Sequence, residues 1–147
     1  MDKSSNKLIV NLDEQGLVDK LAKHTLMILN KQLRGGSRPI ILLCIGSDRY
    51  TGDALGPLIG AYLSEKRPFT IYGTLDKPVH AGNLVDTIRL IKNQFKHPLI
   101  IAIDACLGKT SEVGNIEIWE GSLEAGIAVG HKLPRVGEVS IVGVVNS

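Results

Sequence analysis

Apolar residues follow two patterns along this chain, helical spacing and short apolar runs. Helical spacing extends over residues 13–33 and stops at a glycine pair, which predicts an amphipathic first helix. Five shorter apolar segments are typical of strands, and those without alternation are expected to be covered on both faces of a parallel sheet. These segments are residues 39–45, 69–72, 98–103, 115–119 and 139–145.

Two more helices are predicted between these strands. One begins near Asp53 and places Pro57 in its first turn, where proline is tolerated. The other carries apolar residues over 84–95 and has Asn83 as its N-cap. Strands that alternate with helices predict a three-layer, doubly wound α/β fold with a mostly parallel sheet and helices on both faces. The length of 147 residues predicts a single domain over 1–147.

The chain stops directly after its last predicted strand, whose outer face would normally be covered by a helix. We therefore expect either a missing C-terminal helix or a partner that covers this surface. An apolar terminal strand could also pair with another subunit, which is compatible with a homo-oligomer.

Charge and hydropathy narrow the range of partners. Seventeen basic and fifteen acidic residues give a net charge of +2, without a block of like charges, which argues against nucleic acid as a partner. The first fifteen residues lack an apolar stretch of signal-peptide length, and no apolar run approaches the roughly 20 residues that span a bilayer. We expect a cytoplasmic protein that does not associate with membranes.

Two aspartates are the main candidates for chemistry. Asp53 follows the first of the five predicted strands, His80 the second and Asp104 the third. Loops that follow parallel strands emerge at one edge of a sheet, so Asp53 and Asp104 should meet if their strands are neighbours. Two adjacent carboxylates share a proton and provide one general base and one general acid near neutral pH.

Simpler roles compete for each of these residues. Asp53 could merely cap the second helix, a role worth roughly 1 kcal/mol. Asp104 at the end of a buried strand is harder to explain without function, because a buried acid needs a partner or water. A lone loop histidine such as His80 is more often structural than a ligand. Cys44 is interpreted as a small buried hydrophobe, and a catalytic role is not expected for Cys106 because it has no paired histidine.

The glycine-bearing turn after the first predicted strand also raises the question of nucleotide binding. Gly46, Gly52 and Gly56 match neither the dinucleotide fingerprint nor the P-loop, and nearby carboxylates would repel a phosphate. The remaining support for dinucleotide binding is Asp76, which lies just past the second predicted strand, where it could contact a ribose.

These motifs resemble those of a known peptidase family. The segments 51–57 (TGDALGP), 100–105 (IIAIDA) and 125–132 (AGIAVGHK) resemble the germination protease family of spore-forming bacteria, and more distantly the hydrogenase maturation endopeptidases. The resemblance covers roughly residues 39–146. It implies that Asp53 and Asp104 correspond to the two catalytic aspartates. This chain is shorter than the germination protease, and residues 46–48 (GSD) replace the usual glycine-asparagine turn. Because of these differences, the resemblance does not identify the substrate.

The leading expectation is a sporulation-associated peptidase of the aspartic type, acting without a cofactor on a protein or peptide in the mother cell or forespore. Backbone N–H groups of the glycine-rich loops are candidate oxyanion donors. Two alternatives stay open: a catalytically silent scaffold protein, and a maturation-type endopeptidase that uses a divalent metal with His80 or His131 as a further ligand. The residues expected to bind substrate are Ser47, Asp48, His80, Gly82 and Gly130.

Overall fold

The computed structural model describes residues 5–49, 51–66, 68–125 and 133–147. Its helices are α1 (Leu17–Leu33), α2 (Leu55–Ser64) and α3 (Leu84–Gln94), with short 3-10 turns at Thr51–Asp53 and Thr110–Glu112. Its strands are β1 (Ser5–Asn11), β2 (Ile40–Cys44), β3 (Thr70–Tyr72), β4 (Leu99–Leu107), β5 (Asn115–Glu120), β6 (Leu123–Glu124), β7 (Arg135–Val136) and β8 (Val139–Asn146).

Six of these strands form one mixed sheet in the order β1-β5-β8-β4-β2-β3, and β6 and β7 form a separate two-stranded pair. The contacts of β8 with β4, of β4 with β2 and of β2 with β3 are parallel. The strand β5 is antiparallel to both of its neighbours, so it alone in this sheet runs against the common direction. The predicted α/β class and the mostly parallel sheet are therefore confirmed.

Both faces of the sheet are covered. Along β2, Leu42 and Cys44 face a core that includes side chains of α1 and α2, while Ile41 and Leu43 face a second core that includes side chains of α3. The β6–β7 pair contributes Leu123 and Val136 to the second core. This alternation is why the predicted strand is apolar at every position. No helix in the described parts of the chain is long and apolar enough to cross a bilayer.

The structure corrects three expectations about the strands. Residues 5–11 form a strand that was not predicted, and it pairs with β5 at one edge of the sheet. The last strand, β8, has neighbours on both sides, so its edges are not available for pairing with another subunit. The strand that carries Asp104 does not end there, because β4 continues to Leu107 alongside β8.

Candidate functional site

Unequal strand lengths create an opening at the carboxyl edge of the sheet. The pairing of β2 with β4 ends at Cys44 and Ile103, whereas β4 continues beside β8 for four more residues. Within the described part of the chain, the side of β4 that faces β2 therefore has no strand neighbour from Asp104 onward. The 3-10 turn that ends in Asp53 contacts β4. This arrangement brings Asp53 to Asp104, as the neighbouring strands predicted.

The turn after β2 is held in place by its backbone. The Gly46 N–H donates to the Val79 carbonyl at 2.7 Å, and the Ser47 N–H donates to the Asp53 carbonyl at 2.9 Å. Gly46 has a φ of 146°, and a Cβ added there would lie 2.2 Å from the Asp53 carbonyl oxygen. Only glycine fits at this position, because any side chain would push the Asp53 backbone away.

Asp104 is a deeply buried acid, with 7% of its surface exposed. Its Oδ1 accepts a hydrogen bond from the Ala105 N–H at 2.8 Å. Burial raises the pKa of its carboxyl, the hydrogen bond from Ala105 opposes this, and the nearby charge of Asp53 adds to it, so that the pKa is about 7. Asp104 therefore exchanges a proton near neutral pH.

Asp53 is half-buried and does not cap a helix. The N-cap of α2 is Ala54, without a side-chain capping bond, so the simpler explanation for Asp53 is not met. Burial raises the pKa of its carboxyl above the ordinary value, although the Ser47 N–H and the electrostatic interaction with His80 act in the opposite direction. Asp53 thus interacts with both Asp104 and His80, and the three side chains form one electrostatic group.

His80 is held in a defined orientation by the loop before α3. Its Nδ1 accepts a hydrogen bond from the Gly82 N–H at 3.0 Å, so the neutral ring carries its proton on Nε2. Its backbone N–H donates to Asn83 Oδ1 at 2.8 Å, and Asn83 Nδ2 donates to the Pro78 carbonyl at 3.0 Å. Asn83 is the N-cap residue of α3 as predicted, although its side chain braces the loop rather than the helix.

The remaining residues expected to bind substrate have different positions. Ser47 is half-buried beside Asp53, Asp48 is exposed in the turn, and Gly82 supports His80. Gly130 lies outside the described residues. The N–H groups of Gly46, Ser47 and Gly82 already donate within the protein, so these three do not serve as the expected oxyanion donors.

The described residues around Asp53 and Asp104 do not favour metal binding or thiol chemistry. In the described ranges no group of three or more histidine, cysteine or acidic side chains is arranged to hold a metal ion, and His131 lies outside those ranges. Burial raises the pKa of the Cys44 thiol to about 12, which agrees with its interpretation as a core residue. Burial also raises the pKa of Cys106, and so do the acidic side chains around it.

A cleft of about 380 Å³ opens beside Asp104 on the sheet face that also carries α3. Asp53 and His80 do not line it. Its walls include Trp119, Glu112 and Glu117, none of which sequence reasoning singled out as functional. The alternation in the segment NIEIWE was an available signal, because it puts Glu117 and Trp119 on the same face of β5.

Comparison with known proteins supports a family assignment. The "Uncharacterized protein YyaC" of Bacillus subtilis (strain 168) is 46% identical over 128 residues, which cover 85% of this chain and 62% of that protein. The chain thus spans less than two thirds of the length of this relative. A family model described as "Protein of unknown function (DUF1256)" matches residues 10–147. The chain therefore belongs to the DUF1256 family.

Proposed function

We propose that this protein is a peptidase in which Asp53 and Asp104 act together on a peptide bond. The observation that carries the proposal is the pairing of two partly or fully buried acids at the carboxyl edge of neighbouring parallel strands, with the pKa of Asp104 raised to about 7. Ligands of open α/β sheets bind at this edge. A pair of carboxyl groups with shifted pKa values is also the arrangement that acid–base hydrolysis requires.

The two acids have different environments, which assigns their roles. Asp104 is the more deeply buried, so it keeps its proton up to about pH 7 and serves as the general acid. Asp53 is less buried and interacts with His80, so it ionises first and serves as the general base. The electrostatic interaction with His80 lowers the pKa of Asp53.

The chemical step uses one water molecule. Asp53 takes a proton from the water molecule while the oxygen of that water attacks the peptide carbonyl carbon. Asp104 gives its own proton to the carbonyl oxygen. The tetrahedral intermediate then breaks its carbon–nitrogen bond. Asp53 returns its proton to the leaving amine, and Asp104 takes back the proton from the hydroxyl as the carbonyl forms again. Both acids end in their starting states.

The proposed setting follows the resemblance to the germination protease family. The substrate is a protein or peptide of sporulating cells, the compartment is the cytoplasm of the mother cell or forespore, and the finer fold type is that of the phosphorylase/hydrolase-like maturation proteases. The sheet order and the Asp53–Asp104 pair support this type. A homo-oligomer of this chain would form without β8, because both edges of that strand are already paired within the sheet.

Cleavage of a blocked peptide library, followed by mass spectrometry, tests the proposal. The protein should cleave part of the library, and Asp53→Asn or Asp104→Asn should each lower kcat/KM by about 100-fold or more, the usual contribution of one acid or base. The rate should fall as the pH rises above about 7, because Asp104 then loses the proton that it donates. Full activity of either variant, or no cleavage by the unchanged protein, would refute the proposal.

The matched control is Asp48→Asn. Asp48 lies in the same turn as Asp53 but is exposed, and the substitution changes the net charge by the same amount. Because Asp48 is one of the residues expected to bind substrate, this variant should raise KM and leave kcat close to that of the unchanged protein, whereas Asp53→Asn and Asp104→Asn should lower kcat itself. An equal loss of kcat in this variant would show that the effect comes from the charge of the loop and not from the buried pair.

A further inference from the structure

The cleft beside Asp104 has the size and position of a substrate subsite. Its volume of about 380 Å³ falls within the roughly 300–1,000 Å³ that is usual for ligand pockets. We propose that this cleft binds a basic side chain, lysine or arginine, of the peptide substrate, with Glu112 and Glu117 as the residues that select it. This inference rests on the proposed peptidase function and names its specificity.

Asp104 connects the cleft to the proposed chemistry. Its Oδ1 is occupied by the Ala105 N–H, and Oδ2 has no hydrogen-bond partner within the described residues. Every fully buried side-chain nitrogen and oxygen atom of those residues has a partner, so Oδ2 reaches solvent. Asp104 also lines the cleft, and we infer that this solvent-accessible oxygen faces whatever the cleft holds.

Strand register places the selecting acid at a suitable distance. Val142 of β8 is the register partner of Asp104 on one side and of Glu117 on the other. Two spacings between strands therefore separate Asp104 from Glu117, roughly 10 Å between backbones. Both acids, together with Glu112, also raise the pKa of the Cys106 thiol. A peptide bond at Asp104 would thus leave a neighbouring long side chain within reach of Glu117.

The charge of the cleft favours a cation. Four acidic side chains and one arginine line it, and the arginine, Arg135, forms an ion pair with Glu124 at 2.8 Å. One oxygen of Glu112 accepts the Lys109 N–H at 2.7 Å, while in the described part of the chain Glu112 forms no ion pair. Glu112 is therefore the acid in this cleft whose charge is least compensated.

The protein itself shows how this surface binds an ammonium group. Lys7 Nζ lies 3.0 Å from Glu117 Oε1 and 5.2 Å from the centroid of the Trp119 ring. A carboxylate beside an aromatic face is a favourable environment for a cation. Lys7 is not among the residues that line the cleft.

Binding of two blocked peptide libraries without aromatic residues tests the inference. They differ at one central position, which is lysine in one and norleucine, its uncharged analogue, in the other. Calorimetry should show roughly tenfold tighter binding of the lysine library, the change expected for one charge-assisted hydrogen bond. Quenching of Trp119, the single tryptophan of the chain, should accompany binding and locate it in the cleft.

Charge-neutral variants identify the selecting residues. Glu112→Gln with Glu117→Gln keeps the acceptor oxygens and should bring the ratio of the two affinities close to one. Asp13→Asn with Glu65→Gln removes the same charge from exposed positions elsewhere and should leave the ratio unchanged. Equal affinities of the unchanged protein for both libraries, or equal effects of the two double variants, would overturn the inference.

The two proposals fail in different ways. A lysine preference that depends on Glu112 and Glu117, without cleavage of either library, would retain the subsite and reject the peptidase. Cleavage that depends on Asp53 and Asp104, without preference for lysine, would retain the peptidase and reject the subsite.

Discussion

Replacing Asp104 with asparagine should make the protein more stable at alkaline pH. In the folded protein the pKa of Asp104 is about 7, compared with an ordinary value of 3.8. An acid whose pKa is raised by folding binds more protons in the folded state, so it destabilises the fold as the pH rises through this range. Asp104→Asn removes the titrating group, and the amide oxygen can still accept the Ala105 N–H.

The size of this destabilisation follows from the pKa shift of Asp104. One pKa unit corresponds to 1.36 kcal/mol, so the ionised carboxylate costs about 4 kcal/mol of unfolding free energy at high pH. Part of this cost is already present at pH 5, because at that pH Asp104 is ionised in the unfolded chain but still protonated in the folded protein. Between pH 5 and pH 8 the unchanged protein should lose between about 2 and 3 kcal/mol more than the variant.

Urea denaturation at intervals from pH 5 to pH 8 measures this difference. The free energy of unfolding of the unchanged protein should fall with pH relative to that of Asp104→Asn, and the difference should level off above pH 7. Asp48→Asn, an exposed change in the neighbouring turn, should run parallel to the unchanged protein. Parallel curves for Asp104→Asn as well would refute the claim that burial controls this carboxyl.

Two further predictions concern the same edge of the sheet. Asp53→Asn should lower the pKa of Asp104 toward its ordinary value, since a nearby negative charge is removed; carbon NMR of the Asp104 carboxyl measures this, and an unchanged pKa would disprove the coupling. Gly46→Ala should cost about 1–3 kcal/mol in thermal unfolding, because its Cβ would lie 2.2 Å from the Asp53 carbonyl oxygen, whereas Gly52→Ala meets nothing within 4 Å and should cost little. Equal losses for the two glycine variants would contradict this account.

Much of the fold could be predicted because its signals are local. The strand β2 and the helices α1 and α3 lie within a few residues of their predicted positions, since unbroken apolar runs and helical spacing are properties of the segment itself. The meeting of Asp53 and Asp104 was predictable for a related reason. Parallel strands send their following loops to one edge, and only the adjacency of β2 and β4 had to be assumed.

The features that were missed depend on distant parts of the chain. The strand β1 contains only a short apolar run and is held by β5; Asn11 Nδ2, for example, donates to Asn115 Oδ1 across 104 positions. The continuation of β4 beyond Asp104 likewise depends on its pairing with β8. The reversed direction of β5 has no local signature either, because an apolar strand has the same pattern in both orientations.

The overhang of β4 links the two proposed sites. On the side facing β2 it leaves space for the turn that carries Asp53, and on the side facing β8 it forms part of the wall of the cleft. Asp104 belongs to both surfaces, since it lines the cleft and interacts with Asp53. A buried acid kept at a cost of about 4 kcal/mol is difficult to explain by stability alone, because asparagine would keep the hydrogen bond from Ala105, the one that Asp104 accepts within the described residues, and avoid that cost. The energetic penalty at Asp104 is therefore itself an argument for a chemical role.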